Sequence, residues 1–357
     1  MSTTVPSRPG ARGAVDTSSA RTRESLALGV GAVAFVVAAL AALAVFRFSS
    51  APIGGPGSIG QFAALAGAVA AMLAFAAGRY VTRDRGRPVA ALEVFDVAAL
   101  ALAHGIIALL AWTLLTVIME ESFIGAEVFA LPLLALAGAV AAVTAYAAFL
   151  SATRIDLSLL ATILAVFLVL GVIASMLTAT DPQWWKMNLS ALGMTDDLSA
   201  FAFNLTLIVA GALVTTLARY ATTGVPSSHP RGARNVRLCL IIVGVFLACV
   251  GIFHVDVHFW IHNTVATGMV AAFAVAAIRM RVWIPGIPRG FVVLGWVFLA
   301  VIVVLGVLFG VGYYTLTAVE LVAGLLIFSW IILFIRSAAA LQTDTDDVAR
   351  PEGSLTA

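Results

Sequence analysis

The sequence predicts an all-α membrane protein, a polytopic helix bundle with ten transmembrane helices and both termini in the cytoplasm. The chain of 357 residues is 62% hydrophobic and only 11% charged, whereas about a quarter of the residues in a soluble domain are charged. Its apolar residues form blocks of roughly 20, the length that crosses a hydrocarbon core of about 30 Å. These blocks lack the period-two alternation of an outer-membrane barrel.

Ten apolar runs define the predicted helices: 25–46, 59–77, 94–118, 128–150, 157–177, 201–217, 238–253, 259–278, 291–311 and 316–335. Basic residues test this count, since short cytoplasmic loops carry an excess of Lys and Arg. With the N-terminus inside, only Arg47 and Lys186 of the 20 basic residues fall in outer segments. Omitting one helix would destroy this asymmetry. The seventh and eighth helices are therefore predicted to be joined by a tight outer turn at 254–258.

The domain organisation follows from the polar segments. Residues 1–24 and 339–357 are polar and are predicted to be disordered cytoplasmic tails. Between them, four helices form an N-terminal membrane unit at 25–154, and six helices form a second unit at 155–338. The bias towards Arg, Ala and Val is typical of a bacterial protein, and the hydropathy places it in the cell membrane. We expect membrane lipids as partners and no nucleic acid, because no basic stripe with interleaved aromatics occurs. The oligomeric state is not predicted.

The stretch 253–263, FHVDVHFWIHN, contains three of the five histidines. Ionisable groups at membrane depth are costly and are functional candidates by default. On one helix, His254 and His262 would lie about 12 Å apart and could not share an ion. A turn after His254 would allow His254, His258 and His262 to converge on a divalent metal, with Asp256 orienting a ligand. A pH-sensing or substrate-contacting histidine and plain interfacial hydrogen bonding are the alternatives, and His262 is the foremost candidate.

Other polar groups share the predicted outer-leaflet depth. The topology places at this depth Asp196, Asp197, Asn204, Asp256, His262 and Glu320, and whether helix packing brings them together is left open by the sequence. It therefore predicts an outward-facing polar pocket. His104, in the middle of the third helix, is interpreted as a residue that forms a hydrogen bond between helices. A di-haem site would need histidines paired at matched depth, so no haem is expected and a divalent metal is the one cofactor considered.

The second half of the chain carries an ordered set of short motifs. A loop ending in N-L-S-A-L-G precedes a helix that opens with F-N, and a turn F-H-V-D precedes a helix entered by a histidine. This order, over about 156–336, resembles the domain-of-unknown-function 998 family of bacterial and archaeal membrane proteins. More distantly it is similar to the Frag/DRAM/Sfk group of eukaryotic membrane proteins. The matching positions are Asn188, Ser190, Gly193, Phe203, Asn204, Phe253, Asp256 and His262.

The resemblance implies a six-helix unit and a role connected with lipids or the cell envelope, with no established reaction. The first hypothesis is a binding or accessory protein whose outward-facing site consists of His262, Asp256, Asn204, Asn188, Glu320 and Asp197. The second is a metal-assisted intramembrane lipid hydrolase. The third is a proton-coupled transporter that uses Asp96, His104 and Glu320. Whether the protein is an enzyme stays open at this point.

Overall fold

A computed structural model describes residues 19–84, 86, 88, 90–223, 225 and 231–349, with side chains as far as 342. Its helices are α1 Ala20–Phe46, α2 Ile59–Thr82, α3 Ala91–Ser122, α4 Ala130–Thr153, α5 Leu157–Leu177, α6 Leu198–Thr222, α7 Gly232–Ile252, α8 Phe259–Trp283, α9 Arg289–Gly310 and α10 Leu316–Ala349. Within this described part, ten helices are long and apolar enough to cross a membrane. The predicted fold class, a polytopic all-α bundle, is confirmed.

The first and last helices extend beyond the apolar runs. Helix α1 begins at Ala20, and α10 continues to Ala349, whereas the tails were predicted at 1–24 and 339–357. Residues 1–18 and 350–357 lie outside the described residues. Residues 20–24 and 339–349 of the predicted tails are helical, because a formed transmembrane segment supplies the helix nucleus. The Ala-Ala-Ala-Leu-Gln run at 338–342 then propagates α10 with high helix propensity.

The chain divides into two compact units, Met1–Pro88 with Met119–Arg154 and Val89–Ile118 with Ile155–Ala357. This division differs from the predicted grouping at 25–154 and 155–338 in one respect: most of α3 belongs to the second unit. The physical reason is a buried polar contact. The Asp96 carboxylate, 7% exposed, accepts a hydrogen bond from the Thr216 hydroxyl at 3.0 Å and pairs with the Arg219 guanidinium. Both partners lie on α6, so α3 is attached to α6.

The first unit is a three-helix arrangement in which α1 and α2 both pack on α4. Its loops carry a short antiparallel pair, β1 Ala51–Pro52 and β2 Glu127–Val128. Small residues allow the helices to approach closely, as at Gly31, where an added methyl would lie 3.1 Å from the Ala142 carbonyl oxygen. Small residues at helix contacts are typical of membrane bundles.

The second unit is built on the packing of α6 against α5 and α7. Helices α6 and α7 meet at Gly211 and Gly244, where a methyl on Gly211 would lie 2.3 Å from the Gly244 carbonyl oxygen. Helix α5 is joined to α6 by the Ser199 hydroxyl, which donates to the Ser175 carbonyl at 2.8 Å. Helix α7 ends at Ile252 and α8 begins at Phe259. The tight turn predicted between the seventh and eighth helices is therefore present.

Candidate functional site

The connection between α5 and α6 contains a buried loop at 188–193, which we call the clamped loop. Its residues Leu189–Gly193 form a short 3-10 helix, and the last four of them are buried. Loops usually run over the surface, because buried backbone groups need partners. Side chains of α6 and α10 bind backbone groups of the clamped loop, and a side chain of α8 contacts its Ser190 hydroxyl.

The first of these side chains is His262, in the first turn of α8 and only 4% exposed. Its Nδ1 lies 2.7 Å from the Phe253 carbonyl oxygen, and its Nε2 lies 3.0 Å from the Ser190 hydroxyl oxygen. A carbonyl oxygen only accepts hydrogen bonds, so Nδ1 carries the proton in neutral imidazole. The Ser190 hydroxyl therefore donates to the free lone pair on Nε2.

The second is Glu320, in the second turn of α10. Its carboxylate accepts the backbone N–H of Leu189 at 2.6 Å and also faces the backbone N–H of Ser190. Two polar atoms belong to residues that adjoin this contact along the chain: Asn188 Oδ1, one residue before Leu189, and Thr317 Oγ1, one helical turn before Glu320. Both atoms are buried and have no hydrogen-bond partner. Buried polar atoms are normally satisfied, so such a pair is a candidate ligand contact.

The third is Asn204, in the second turn of α6. Its side-chain amide nitrogen donates to the Gly193 carbonyl at 3.1 Å and lies 3.0 Å from Nε2 of His254. The loop approaches α6 so closely that a methyl on Gly193 would lie 2.4 Å from the Asn204 side-chain oxygen. Glycine is needed here for space, because any side chain would push the loop away from α6.

Two predicted site residues lie outside this network. Asp256 is exposed in the turn between α7 and α8. Asp197 is the N-cap of α6, where it accepts the Ala200 N–H at 2.9 Å and the Thr195 hydroxyl at 2.7 Å. Hydrogen bonds from the Thr180 hydroxyl, the Ala200 N–H and the Thr195 hydroxyl lower the pKa of Asp197 to about 2. Its structural contribution is a helix cap.

The three histidines considered as metal ligands have separate surroundings. His254 contacts Asn204, and His262 uses both ring nitrogens on Phe253 and Ser190. His258 precedes α8 and packs edge-on against the Phe253 ring, with centroids 5.6 Å apart. Throughout the described ranges, no three His, Cys, Asp or Glu side chains form a metal-binding group. The turn reverses the chain without turning the three imidazoles towards a common point, which corrects the convergence considered from the sequence.

The groups considered for proton transport also have local partners. Asp96 is paired with Arg219 on α6, and Nδ1 of His104 lies 2.7 Å from the Leu100 carbonyl oxygen of its own helix. Glu320 is engaged with the clamped loop. These contacts give the transporter hypothesis no specific support.

Two residues of the site were not among the sequence candidates, although both had a signal. Ser190 stands in the N-L-S-A-L-G motif, but the sequence does not show that a histidine 72 positions later would reach its hydroxyl. Thr317 precedes Glu320 by three residues, a spacing that puts both side chains on one helix face. A polar side chain on the same helix face as a membrane carboxylate can therefore be identified from the sequence as a candidate site residue.

The fold and the site define a class: a multi-pass α-helical membrane protein whose second unit holds a buried polar loop between helices. The sequence profile of one family, described as "Protein of unknown function (DUF998)", matches residues 159–337. The chain belongs to this family, and the match spans α5 to α10, the helices that enclose the clamped loop. No curated protein and no solved structure matches the chain significantly.

Proposed function

We propose that this protein binds a lipid or another cell-envelope component at the clamped loop, as a binding or accessory protein of the cell membrane. The observation that carries the proposal is a pair of buried, unpartnered atoms, Asn188 Oδ1 and Thr317 Oγ1. They belong to residues that adjoin, along the chain, the contact between Leu189 and the Glu320 carboxylate. Leaving a buried polar atom unsatisfied costs about 1–3 kcal/mol. A ligand that supplies hydrogen-bond donors would recover this free energy.

The chemistry of these atoms indicates the kind of head group. An amide oxygen and a carboxylate only accept hydrogen bonds, and a threonine hydroxyl can do so. The connections α5–α6 and α7–α8 carry Asp181, Asp196, Asp197 and Asp256 against the single cation Lys186. An anionic group would be repelled at such a surface. We therefore propose a ligand whose head group presents hydroxyl or ammonium donors.

The orientation in the membrane is part of the proposal. The charge asymmetry supports cytoplasmic termini and an outward-facing clamped loop, since all basic residues except Arg47 and Lys186 fall in the inner segments. In intact cells, a membrane-impermeant maleimide should label a cysteine introduced at Lys186 and spare one introduced at Arg281. Cys239 and Cys249 would first be changed to serine. Labelling at Arg281 alone would reverse the orientation.

The binding proposal is tested by the lipids that remain with the protein. Purified protein in polymer-bounded membrane discs should retain one head-group class in excess over the bulk membrane, as measured by mass spectrometry. Glu320→Gln and Thr317→Val should each reduce this excess roughly tenfold, which corresponds to about 1.4 kcal/mol. The matched controls are Glu121→Gln and Thr162→Val, at exposed positions in α3 and α5. Equal lipid composition in all five proteins would overturn the proposal.

A further inference from the structure

We propose that Ser190 and His262 form a nucleophile and general-base pair that cleaves an ester of a membrane lipid. The inference takes its substrate class from the proposed function, and its geometry stands independently of that function. The Ser190 hydroxyl oxygen lies 3.0 Å from His262 Nε2, within the range for proton transfer from a nucleophile to its base.

The tautomer of His262 is the one that a general base requires. The Phe253 carbonyl, 2.7 Å from Nδ1, fixes the proton on that nitrogen, and the lone pair of Nε2 faces the serine. A nucleophile, a base and a third group that orients the base are the parts of a serine–histidine catalytic unit. Here the third group is a backbone carbonyl, supplied where α7 ends and the turn into α8 begins.

Other buried serines of the second unit show what a purely structural serine does. Ser175 and Ser199 are buried on α5 and α6, and their hydroxyls donate to backbone carbonyls across the helix contact, with Ser199 reaching Ser175 at 2.8 Å. Such contacts need no titratable partner. Ser190 differs from Ser175 and Ser199 in its position and in its hydrogen-bond partner. It lies in the clamped loop rather than in a helix, and its partner is an imidazole nitrogen rather than a backbone carbonyl.

The surroundings favour a reaction at a lipid ester. Ser190 is 9% exposed and His262 is 4% exposed, so the pair is shielded from bulk water. The loop joins two membrane-crossing helices, and the ends of such helices lie beside the interfacial layer in which lipid esters are found. The head group held by Glu320, Thr317 and Asn188 would place the ester beside Leu189 and Ser190.

The reaction balances without a metal or a redox partner. Ser190 Oγ attacks the ester carbonyl carbon while its proton moves to His262 Nε2. The bond to the alcohol oxygen breaks, that oxygen takes the proton from Nε2, and an acyl-serine remains. Water then attacks the acyl carbon, gives a proton to Nε2, and releases the acid as the proton returns to Oγ. The net reaction converts an ester and water into an acid and an alcohol.

The test uses the full-length protein in lipid discs and a fluorophosphonate probe, which reacts with activated serines. Peptide mapping should place the adduct on Ser190 of the unaltered protein. Ser190→Ala and His262→Ala should lower labelling at least tenfold, while Ser199→Ala, a buried serine without a histidine partner, should label normally. An unlabelled but folded protein, or an adduct that persists in Ser190→Ala, would overturn the inference. Mapping on the unaltered chain does not depend on whether His262→Ala folds.

The inference and the proposed function can fail separately. Glu320→Gln should lose the retained lipid while the small probe still reacts with Ser190. If lipid retention depends on Glu320 but no serine is labelled, the binding function stands and the catalytic pair is rejected. If Ser190 is labelled but no lipid is retained, the catalytic pair stands and the binding function is rejected.

Discussion

The two units bury different kinds of side chain. Among the buried polar residues of the described chain, only Ser58 lies in the first unit, where its hydroxyl caps α2. The second unit holds Asp96, Ser175, Ser190, Ser199, Thr206, Thr216, Thr222, His262 and Thr317. The first unit instead has an open apolar groove of about 570 Å³, lined by alanine, valine, leucine and Phe62 from α1, α2 and α4.

The difference in buried polar residues distinguishes helix packing, which the first unit achieves with apolar residues, from the construction of a polar site in the second unit. Small apolar residues are sufficient to bring membrane helices together, as the first unit shows. Buried polar groups carry a penalty in lipid unless each one is satisfied. The second unit uses them to attach α3 to α6 and to hold the clamped loop. Among its described residues, four buried side-chain atoms lack a hydrogen-bond partner: Asn188 Oδ1, Thr317 Oγ1, Arg219 Nε and Trp330 Nε1. The first two belong to residues that adjoin, along the chain, the contact between Leu189 and Glu320.

The largest effect is expected at the ion pair between α3 and α6. Asp96→Ala should destabilise the protein by roughly 3 kcal/mol, because it leaves the partly buried Arg219 guanidinium, whose side chain is 24% exposed, without its partner. Glu121→Ala, at an exposed position in the same helix, should change stability by less than about 0.5 kcal/mol. Detergent-induced unfolding measures both values. Equal unfolding midpoints for the two variants would show that the ion pair does not stabilise the second unit in the way proposed.

The next effect concerns the close approach of the clamped loop to α6. Gly193→Ala should cost about 1–3 kcal/mol, since the methyl overlaps the Asn204 side chain. In α1 of the first unit, Gly29 has open space around an added methyl. There the same substitution should stabilise by up to about 1 kcal/mol through helix propensity. Thermal unfolding of both variants checks that the two stability changes have opposite signs. A Gly193→Ala protein as stable as the unaltered one would show that the loop can shift.

A smaller loss is expected from the amide that holds the loop. Asn204→Ala leaves the Gly193 carbonyl without its donor and should cost roughly 1.5 kcal/mol. Asn263 is the matched control, because its amide donates only to the Phe259 carbonyl of its own helix at 2.8 Å. Protease sensitivity within 188–193 should rise in Asn204→Ala alone. Similar cleavage in both variants would mean that other contacts hold the loop.

The smallest effect is a pH-dependent one at the start of α6. The folded pKa of Asp197 is about 2, below its ordinary 3.8, so its stabilisation is fully present above the ordinary value. It is lost as the pH falls through 2. Asp197→Ala should cost about 1 kcal/mol near neutral pH, as is typical for an N-cap. The difference from the unaltered protein should shrink between pH 4 and pH 2, and a gap that stays constant would contradict the assignment.

Much of the fold is readable from the sequence because the membrane imposes a length and a hydropathy on each helix. The ten helices and the tight turn before α8 follow from apolar runs and the distribution of basic residues alone. Part of the site is also readable, since Asn188, Asn204, His262 and Glu320 are polar groups in an apolar setting. The family assignment follows from the same short motifs.

What only the tertiary structure decided is which of these groups meet. Helix α3 joins the second unit because Asp96 finds Arg219, although 122 residues intervene. His262 meets Ser190 rather than the other two histidines, because α8 turns its first residues towards the clamped loop. Hydropathy reports the depth of each side chain in the membrane. The direction in which a side chain points depends on helix packing, which brings together residues from distant parts of the chain.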